Sequence, residues 1–179
     1  ADSESGQSLR GAELGLGSGV IALTLLLECR AQKRGLKMVG SELSARARDL
    51  CLRNRAHLGL TSLELEVIPT HDPAEVASPF LPFVARDGLF DFWVSNPPYL
   101  QPSAAEVEPG VLASDPHEAL FAPPGDPLYF YREMAEGVPN ILRPGGWIWV
   151  EIPHERVGEI SAIFDAPGRG FKKVQIFED

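Results

Sequence analysis

The sequence predicts an open, doubly wound α/β domain built on a mostly parallel sheet, and three observations carry that prediction. Strand-like and helix-like patterns alternate along the chain, a glycine-rich turn joins the first strand to the first helix, and a later apolar strand breaks off at two consecutive prolines. Strands separated by helices imply right-handed βαβ units and therefore a parallel sheet. Ligands of such sheets bind outside the carboxyl ends of the strands, near the point where strand order reverses.

The elements follow in order. Residues 1–10 open on Ala1-Asp2-Ser3-Glu4-Ser5-Gly6-Gln7-Ser8, which is polar and reads as a flexible lead-in, so the domain is expected over 11–179. Residues 11–14 read as the end of a buried strand and Gly15–Gly19 as a turn. Val20, Ile21, Leu23, Leu25, Leu26 and Leu27 then form a strongly apolar helix that stops by Gly35. Leu36–Gly40 is a second strand ending at Ser41-Glu42. Ser44 caps a helix over Ala45–His57, which Gly59 closes. Leu63–Ile68 alternates as a third strand, and Pro73–Arg86 mixes helix and loop. Phe90–Val94 is a short apolar fourth strand that Asn96-Pro97-Pro98 ends abruptly. Residues 99–126 carry no period. Helix returns over Leu128–Leu142 and stops at Pro144-Gly145-Gly146. Trp147–Glu151 is a fifth strand, Glu155–Phe164 a helix, and Phe171–Phe177 a sixth strand.

Composition narrows the function classes. A chain of 179 residues forms one compact domain and buries a sizeable core without staples. Its 25 acidic residues against 16 basic ones leave a charge of −9, and a nucleic-acid binder carries a basic patch instead. The one basic cluster, Arg46, Arg48, Arg53 and Arg55 with Arg30, Lys33 and Arg34, is spaced as the solvated faces of two helices. The acidic balance suits a basic protein or peptide partner, or a small molecule. Cys29 and Cys51 lack metal or redox spacing and read as free thiols in a reducing compartment. The apolar run 20–27 is too short to span a bilayer, so no membrane role is expected. His57, His71, His117 and His154 do not approach metal-ligand spacing, so no metal is expected. Ser18 and Ser95 have no His/Asp partners, which argues against a hydrolase.

Two segments carry chemistry. The first is Glu13-Leu14-Gly15-Leu16-Gly17-Ser18-Gly19, between a strand and a helix. Glycines there permit a tight turn and a close approach of backbone to ligand. The dinucleotide fingerprint is not matched, because the third glycine comes one residue early, and no Gly-Lys-Ser/Thr follows to make a phosphate loop. What remains is a loop for a nucleoside with an amino-acid tail, with Glu13 placed to meet the tail's ammonium. Glu42, at the end of the second strand, can accept hydrogen bonds from both hydroxyls of a ribose; it equally suits a solvated acid at a helix start. Asp72 can contact an adenine amino group or simply form an Asp-Pro turn.

The second segment is Ser95-Asn96-Pro97-Pro98-Tyr99. Two prolines fix φ and withhold their N–H groups, so the carbonyls of Asn96 and Pro97 stand as acceptors in a stiff frame. The Asn96 side chain adds an acceptor and an NH₂ donor. Two acceptors gripping the N–H bonds of a conjugated –NH₂ draw its nitrogen towards tetrahedral geometry and aim its lone pair at an electrophilic methyl. Tyr99 can stack on the planar group. Orientation and electrostatic preorganisation are the catalytic terms.

Together, the glycine loop, the acidic strand end and Asn96-Pro97-Pro98-Tyr99 resemble class I (Rossmann-like) S-adenosylmethionine methyltransferases that act on amino groups. Within these the chain is most similar to the HemK/PrmC family, which methylates the glutamine amide in the Gly-Gly-Gln motif of peptide-chain release factors. The resemblance runs from Glu13 to Asp179. It takes in Val94–Leu100, Asp115-Pro116-His117-Glu118-Ala119-Leu120, Leu142–Gly146 and Val150-Glu151-Ile152.

The resemblance implies that Glu13, Gly15, Gly17, Gly19, Glu42 and Asp72, with Asn96, bind S-adenosylmethionine and its product S-adenosylhomocysteine. It implies that Asn96, Pro97, Pro98 and Tyr99 hold the glutamine amide, with Asn96, Pro97 and Tyr99 catalytic. A release factor is the implied partner, and the cytoplasm or a mitochondrion the implied compartment. The family's N-terminal helical domain and a final strand are expected to lie outside these 179 residues. Two other readings remain: an adenine amino-methyltransferase of DNA or RNA, and a non-catalytic subunit of the same fold. Trp147 and Trp149 are expected to pack into the core against a helix, and Phe80, Phe83 and Phe90 to be core or loop anchors; Phe121, Tyr129 and Tyr131 are expected to pack, with lining of a substrate groove as the alternative.

Overall fold

A computed structural model describes residues 8–70, 79–84, 88–101 and 120–178. Among them the order is β1 (Leu9–Leu14), α1 (Val20–Ala31), β2 (Leu36–Glu42), α2 (Ala45–His57), β3 (Leu65–Pro69), α3 (Leu81–Val84), β4 (Phe90–Ser95), α4 (Tyr129–Gly137), β5 (Leu142–Val150) and α5 (Val157–Asp165). Short 3₁₀ turns precede β5 (Val138–Asn140) and α5 (His154–Arg156). The strands make one five-stranded sheet, β3-β2-β1-β4-β5, and every neighbouring pair is parallel. The doubly wound α/β expectation therefore holds.

The sheet divides two apolar layers. On one face Ala12, Val39, Trp93 and Phe90 pack with Phe80, Phe83 and the buried side of α4. Phe83 meets the Trp93 ring edge-on, with centroids 4.8 Å apart. On the other face Leu16, Leu23, Leu26, Met38 and Leu65 enclose the fully buried Cys51. The sheet itself is tight. A Cβ on Gly11 would fall 2.3 Å from Phe92 Cζ, so only glycine lets the Phe92 ring cross β1.

Several boundaries move. β1 begins at Leu9, because Leu9 N–H donates to the Gly35 carbonyl at 2.9 Å and starts the ladder with β2. The helix expected over Leu128–Leu142 ends at Gly137, where Pro139 tightens the chain into a 3₁₀ turn. β5 runs through Pro144-Gly145-Gly146 instead of starting after it. It does so by a register shift opposite Phe90–Phe92, where Arg143 Nη1 donates to Asp91 Oδ1 at 2.7 Å.

Two expectations fail at the same edge. Phe171–Phe177 does not form a strand: these residues pack by side chain, with Phe171 meeting Phe164 of α5 edge-on. A strand needs a neighbouring backbone to exchange hydrogen bonds with, and a cavity lies between this segment and β5. Trp147 and Trp149 are not core. They are 58% and 50% exposed, because Ile148 and Val150 take the inward positions of β5 and alternation turns the tryptophans to the other face. The two indoles stack with centroids 6.2 Å apart, and Phe177 lies 5.8 Å from Trp149.

Candidate functional site

Chain order reverses between β1, which continues to β2 on one side, and β4 on the other. This is the switch point of the sheet, where the two strand ends diverge and leave a crevice. Both sequence motifs sit there, since Leu14 at the end of β1 is the register partner of Ser95 at the end of β4. The Ser95 hydroxyl is buried and donates to the Leu14 carbonyl at 2.9 Å, clipping the start of the Asn-Pro-Pro loop to the start of the glycine loop.

The glycine loop is held from β2. Gly15 and Leu16 donate their N–H groups to the Ser41 carbonyl at 2.9 and 3.0 Å. Gly17 N–H donates to Glu42 Oε2 at 2.7 Å, and Ser44 N–H donates to Glu42 Oε1 at 2.8 Å. Glu42 is thus a buried brace rather than a solvated acid, and each of its oxygens keeps a further lone pair. Gly15, Gly17 and Gly19 all have positive φ. Gly19 shows why the third glycine comes early. At φ 85° it caps α1, and a Cβ there would stand 2.6 Å from Cys51 Sγ.

Glu13 is 1% exposed, and its Oε2 has no partner. Burial pushes its carboxyl up to about 8; the Ala22 backbone N–H pulls back, and the neighbouring Glu42 charge adds to the rise. A carboxyl kept from water without a cation holds its proton. One cleft of about 280 Å³ joins Glu13, Gly15, Gly17 and Glu42 to Asn96, Pro97 and Pro98. Asn96 is exposed to it, while Pro97 is buried and Pro98 half-buried. Tyr99 stands apart, packed against the main core, with its hydroxyl pushed upward by burial and then by Glu151 and Glu155. Gly19 acts at the helix end and does not line the cleft. Asp72 and Asp115–Ala119 lie outside the described residues.

The end of that last segment comes back to the loop. Leu100 bridges to Phe121, with Leu100 N–H donating to the Leu120 carbonyl and Ala122 N–H to the Leu100 carbonyl, both at 3.0 Å. Gln101 Oε1 accepts from Gly125 N–H at 2.8 Å. The residues after Tyr99 are therefore laced to 120–125. Tyr131 is core, and its hydroxyl donates to the Glu151 carbonyl at 3.1 Å.

Besides Glu42 and the aliphatic Val20, Ile21 and Leu43, two lining residues lie outside both motifs. Thr70 stands just past β3, and its buried Oγ1 has no partner; its position at a strand end was the available signal. Phe130 arrives from α4, more than thirty residues past the loop, and nothing local marks it.

No family model matches the chain. Curated relatives do. It is 35% identical over 158 residues to a release factor glutamine methyltransferase of Cereibacter sphaeroides, covering 87% of this chain and 51% of that protein. It is 36% identical over 162 residues to the enzyme of the same name from Agrobacterium fabrum, covering 90% and 50%. The namesake from Chlorobaculum tepidum is 31% identical over 168 residues, covering 93% and 52%. The chain thus spans about half the length of these relatives, and its resemblance to the HemK/PrmC family extends over most of its own residues. Among solved structures it resembles a methyltransferase from Pyrococcus furiosus (TM-score 0.58, 15% identity, 88% of this chain and 62% of that one). It also resembles the ribosomal protein L11 methylase of Lactobacillus delbrueckii (TM-score 0.51, 16% identity, 89% and 60%). The fold is the class I, Rossmann-like methyltransferase fold.

Proposed function

We propose that this chain is the methyl-transferring domain of an S-adenosylmethionine-dependent enzyme that methylates the side-chain amide nitrogen of a glutamine in a peptide-chain release factor. The observation that carries the proposal is the meeting, in one cleft at the switch point, of a buried carboxyl with one unpartnered oxygen and a rigid Asn-Pro-Pro acceptor loop. The names of the relatives supply the release factor.

The residues present fit the cofactor. Glu13 Oε2 and Thr70 Oγ1 are buried polar atoms without partners, which an ammonium and a hydroxyl or amino group would satisfy. Gly15 and Gly17 offer a wall with no side chains. Glu13 would take the amino-acid ammonium, and the free lone pairs of Glu42 would take the ribose hydroxyls. When bound, the cofactor supplies an electrophilic methyl group on a sulfonium and is left as a neutral thioether.

The chain's own residues do the rest. The Asn96 side-chain oxygen and the Pro97 carbonyl accept the two N–H bonds of the substrate amide. This grip weakens conjugation of the nitrogen lone pair with the carbonyl and fixes its direction. Pro97 and Pro98 keep the acceptors rigid, so little reorganisation is needed at the moment of reaction. Methylation makes the nitrogen cationic, so the proton leaves afterwards, and the acceptors already hold it. Tyr99, whose hydroxyl stays protonated, packs beside the loop and serves no general-base role.

The test is transfer of labelled methyl from S-adenosylmethionine to a release factor, its Gln→Ala variant at Gly-Gly-Gln, and oligonucleotides. Label confined to the glutamine-containing factor supports the proposal. Label in the oligonucleotide makes the chain an adenine methyltransferase, and no transfer at all makes it a binding subunit.

A further inference from the structure

We infer that the Phe130 ring is a cation-recognising wall of the cleft, which favours the sulfonium of bound S-adenosylmethionine over the thioether of the spent product. The inference rests on the proposed cofactor and concerns a residue outside both motifs.

Phe130 is the single aromatic residue among the described residues that line the cleft, and it shares that lining with Asn96, Pro97 and Pro98. Every other lining residue comes from the ends of β1 to β4, the loops that follow them or the start of α1; Phe130 alone arrives from α4. Phe130 and Tyr99, which closes the acceptor loop, pack against the same core cluster, and this shared packing favours a place for the ring on the acceptor side of the cleft, where the methyl group would lie between cofactor and amide.

The ring is held in place from several directions. Tyr131, Met134, Ala135 and Val138, on the buried side of α4 and the turn after it, are at most 1% exposed, which fixes the helix against the sheet. The Tyr131 hydroxyl adds the hydrogen bond to the Glu151 carbonyl. The first turn of α4 is tied back by Tyr129 N–H donating to the Asp126 carbonyl at 3.3 Å and by the Arg132–Asp126 ion pair. Tyr129 meets the Phe130 ring edge-on, with centroids 5.1 Å apart and planes at 83°. Phe130 itself is half-buried against the main core.

A benzene ring presents a negative face, and a cation over it is stabilised most where water is excluded. Glu42 lines the same cleft, and Glu13 there ionises once an ammonium satisfies it, so the lining suits a cationic ligand. Transfer of the methyl removes the positive charge from sulfur. A ring beside that sulfur loses its attraction at the same moment, which favours release of the product.

The experiment measures affinity for S-adenosylmethionine and S-adenosylhomocysteine by calorimetry in the wild type, Phe130→Leu and Phe130→Tyr. Leucine keeps the packing and removes the π face. Phe130→Leu is expected to weaken S-adenosylmethionine by about three- to tenfold, the range of one cation–π contact, and S-adenosylhomocysteine by less than about twofold. Phe130→Tyr, which keeps a ring, is expected to stay near the wild type. Equal weakening of both ligands in Phe130→Leu, whether from altered packing or from a misfolded variant, overturns the inference. So does an unchanged pair of affinities accompanied by a raised KM for the release factor, which would put the ring against the substrate. If the wild type binds neither ligand, the proposed cofactor itself fails, and this result is distinct from the others.

Discussion

Glu42 accepts the Gly17 N–H at 2.7 Å, so the acid at the end of β2 holds the glycine loop in its working shape before any ligand arrives. Its other oxygen accepts from Ser44 N–H at 2.8 Å and fixes the start of α2. One carboxylate therefore braces two loops at the mouth of the cleft.

Glu42→Ala is expected to strand both N–H donors and to cost about 2 kcal/mol or more, a fall in Tm of roughly 4–8 °C. Thermal unfolding without ligand reads this directly. Cofactor affinity should fall further than the stability loss explains, because the ribose acceptor goes as well. An unchanged Tm would mean that the brace contributes nothing.

Glu13 sets a pH dependence whose sign can be worked out. Its folded value is about 8 against an ordinary 4.5, so the folded chain holds this proton more tightly than the unfolded one. Its contribution to stability is complete below about 4.5 and is lost as pH rises through about 8. An ammonium ligand reverses the preference by stabilising the carboxylate. Binding should then release a proton below about pH 8 and tighten by up to about tenfold per pH unit. Calorimetry in two buffers of different ionisation enthalpy measures the proton. Identical apparent enthalpies would disconnect Glu13 from the ligand, and Glu13→Gln should abolish the difference.

Thr70→Val separates binding from folding. The Thr70 hydroxyl is buried without a partner, so an apolar isostere should leave Tm unchanged or slightly higher. Cofactor affinity should fall about five- to tenfold, the worth of one hydrogen bond. A drop in Tm with affinity intact would assign Thr70 to the fold alone.

Much of the site was legible because its chemistry is local. Asn96-Pro97-Pro98 announces its own rigidity, and a glycine run between a strand and a helix announces a close approach. The parallel sheet followed from alternation, and parallel pairing then brought the ends of β1 and β4 together. Phe130 was not legible, because its place depends on α4 packing across the sheet. Thr70 offered only its position at a strand end, since a lone hydroxyl has no pattern of its own. Trp147 and Trp149 misled because alternation says which residues share a face and not which face is covered. The 171–177 segment misled because an apolar pattern does not supply a strand with a partner.

The central claim divides the cleft into a cofactor side and an Asn-Pro-Pro side that performs the transfer. The most direct measurement is methyl transfer to a release factor by Asn96→Ala, alongside its affinity for S-adenosylmethionine. A fall in kcat of about 10²–10³, as for loss of a preorganised catalytic hydrogen bond, with affinity kept within about threefold of the wild type, is the expected result. Transfer that continues at the wild-type rate, or affinity that collapses together with it, would contradict the division.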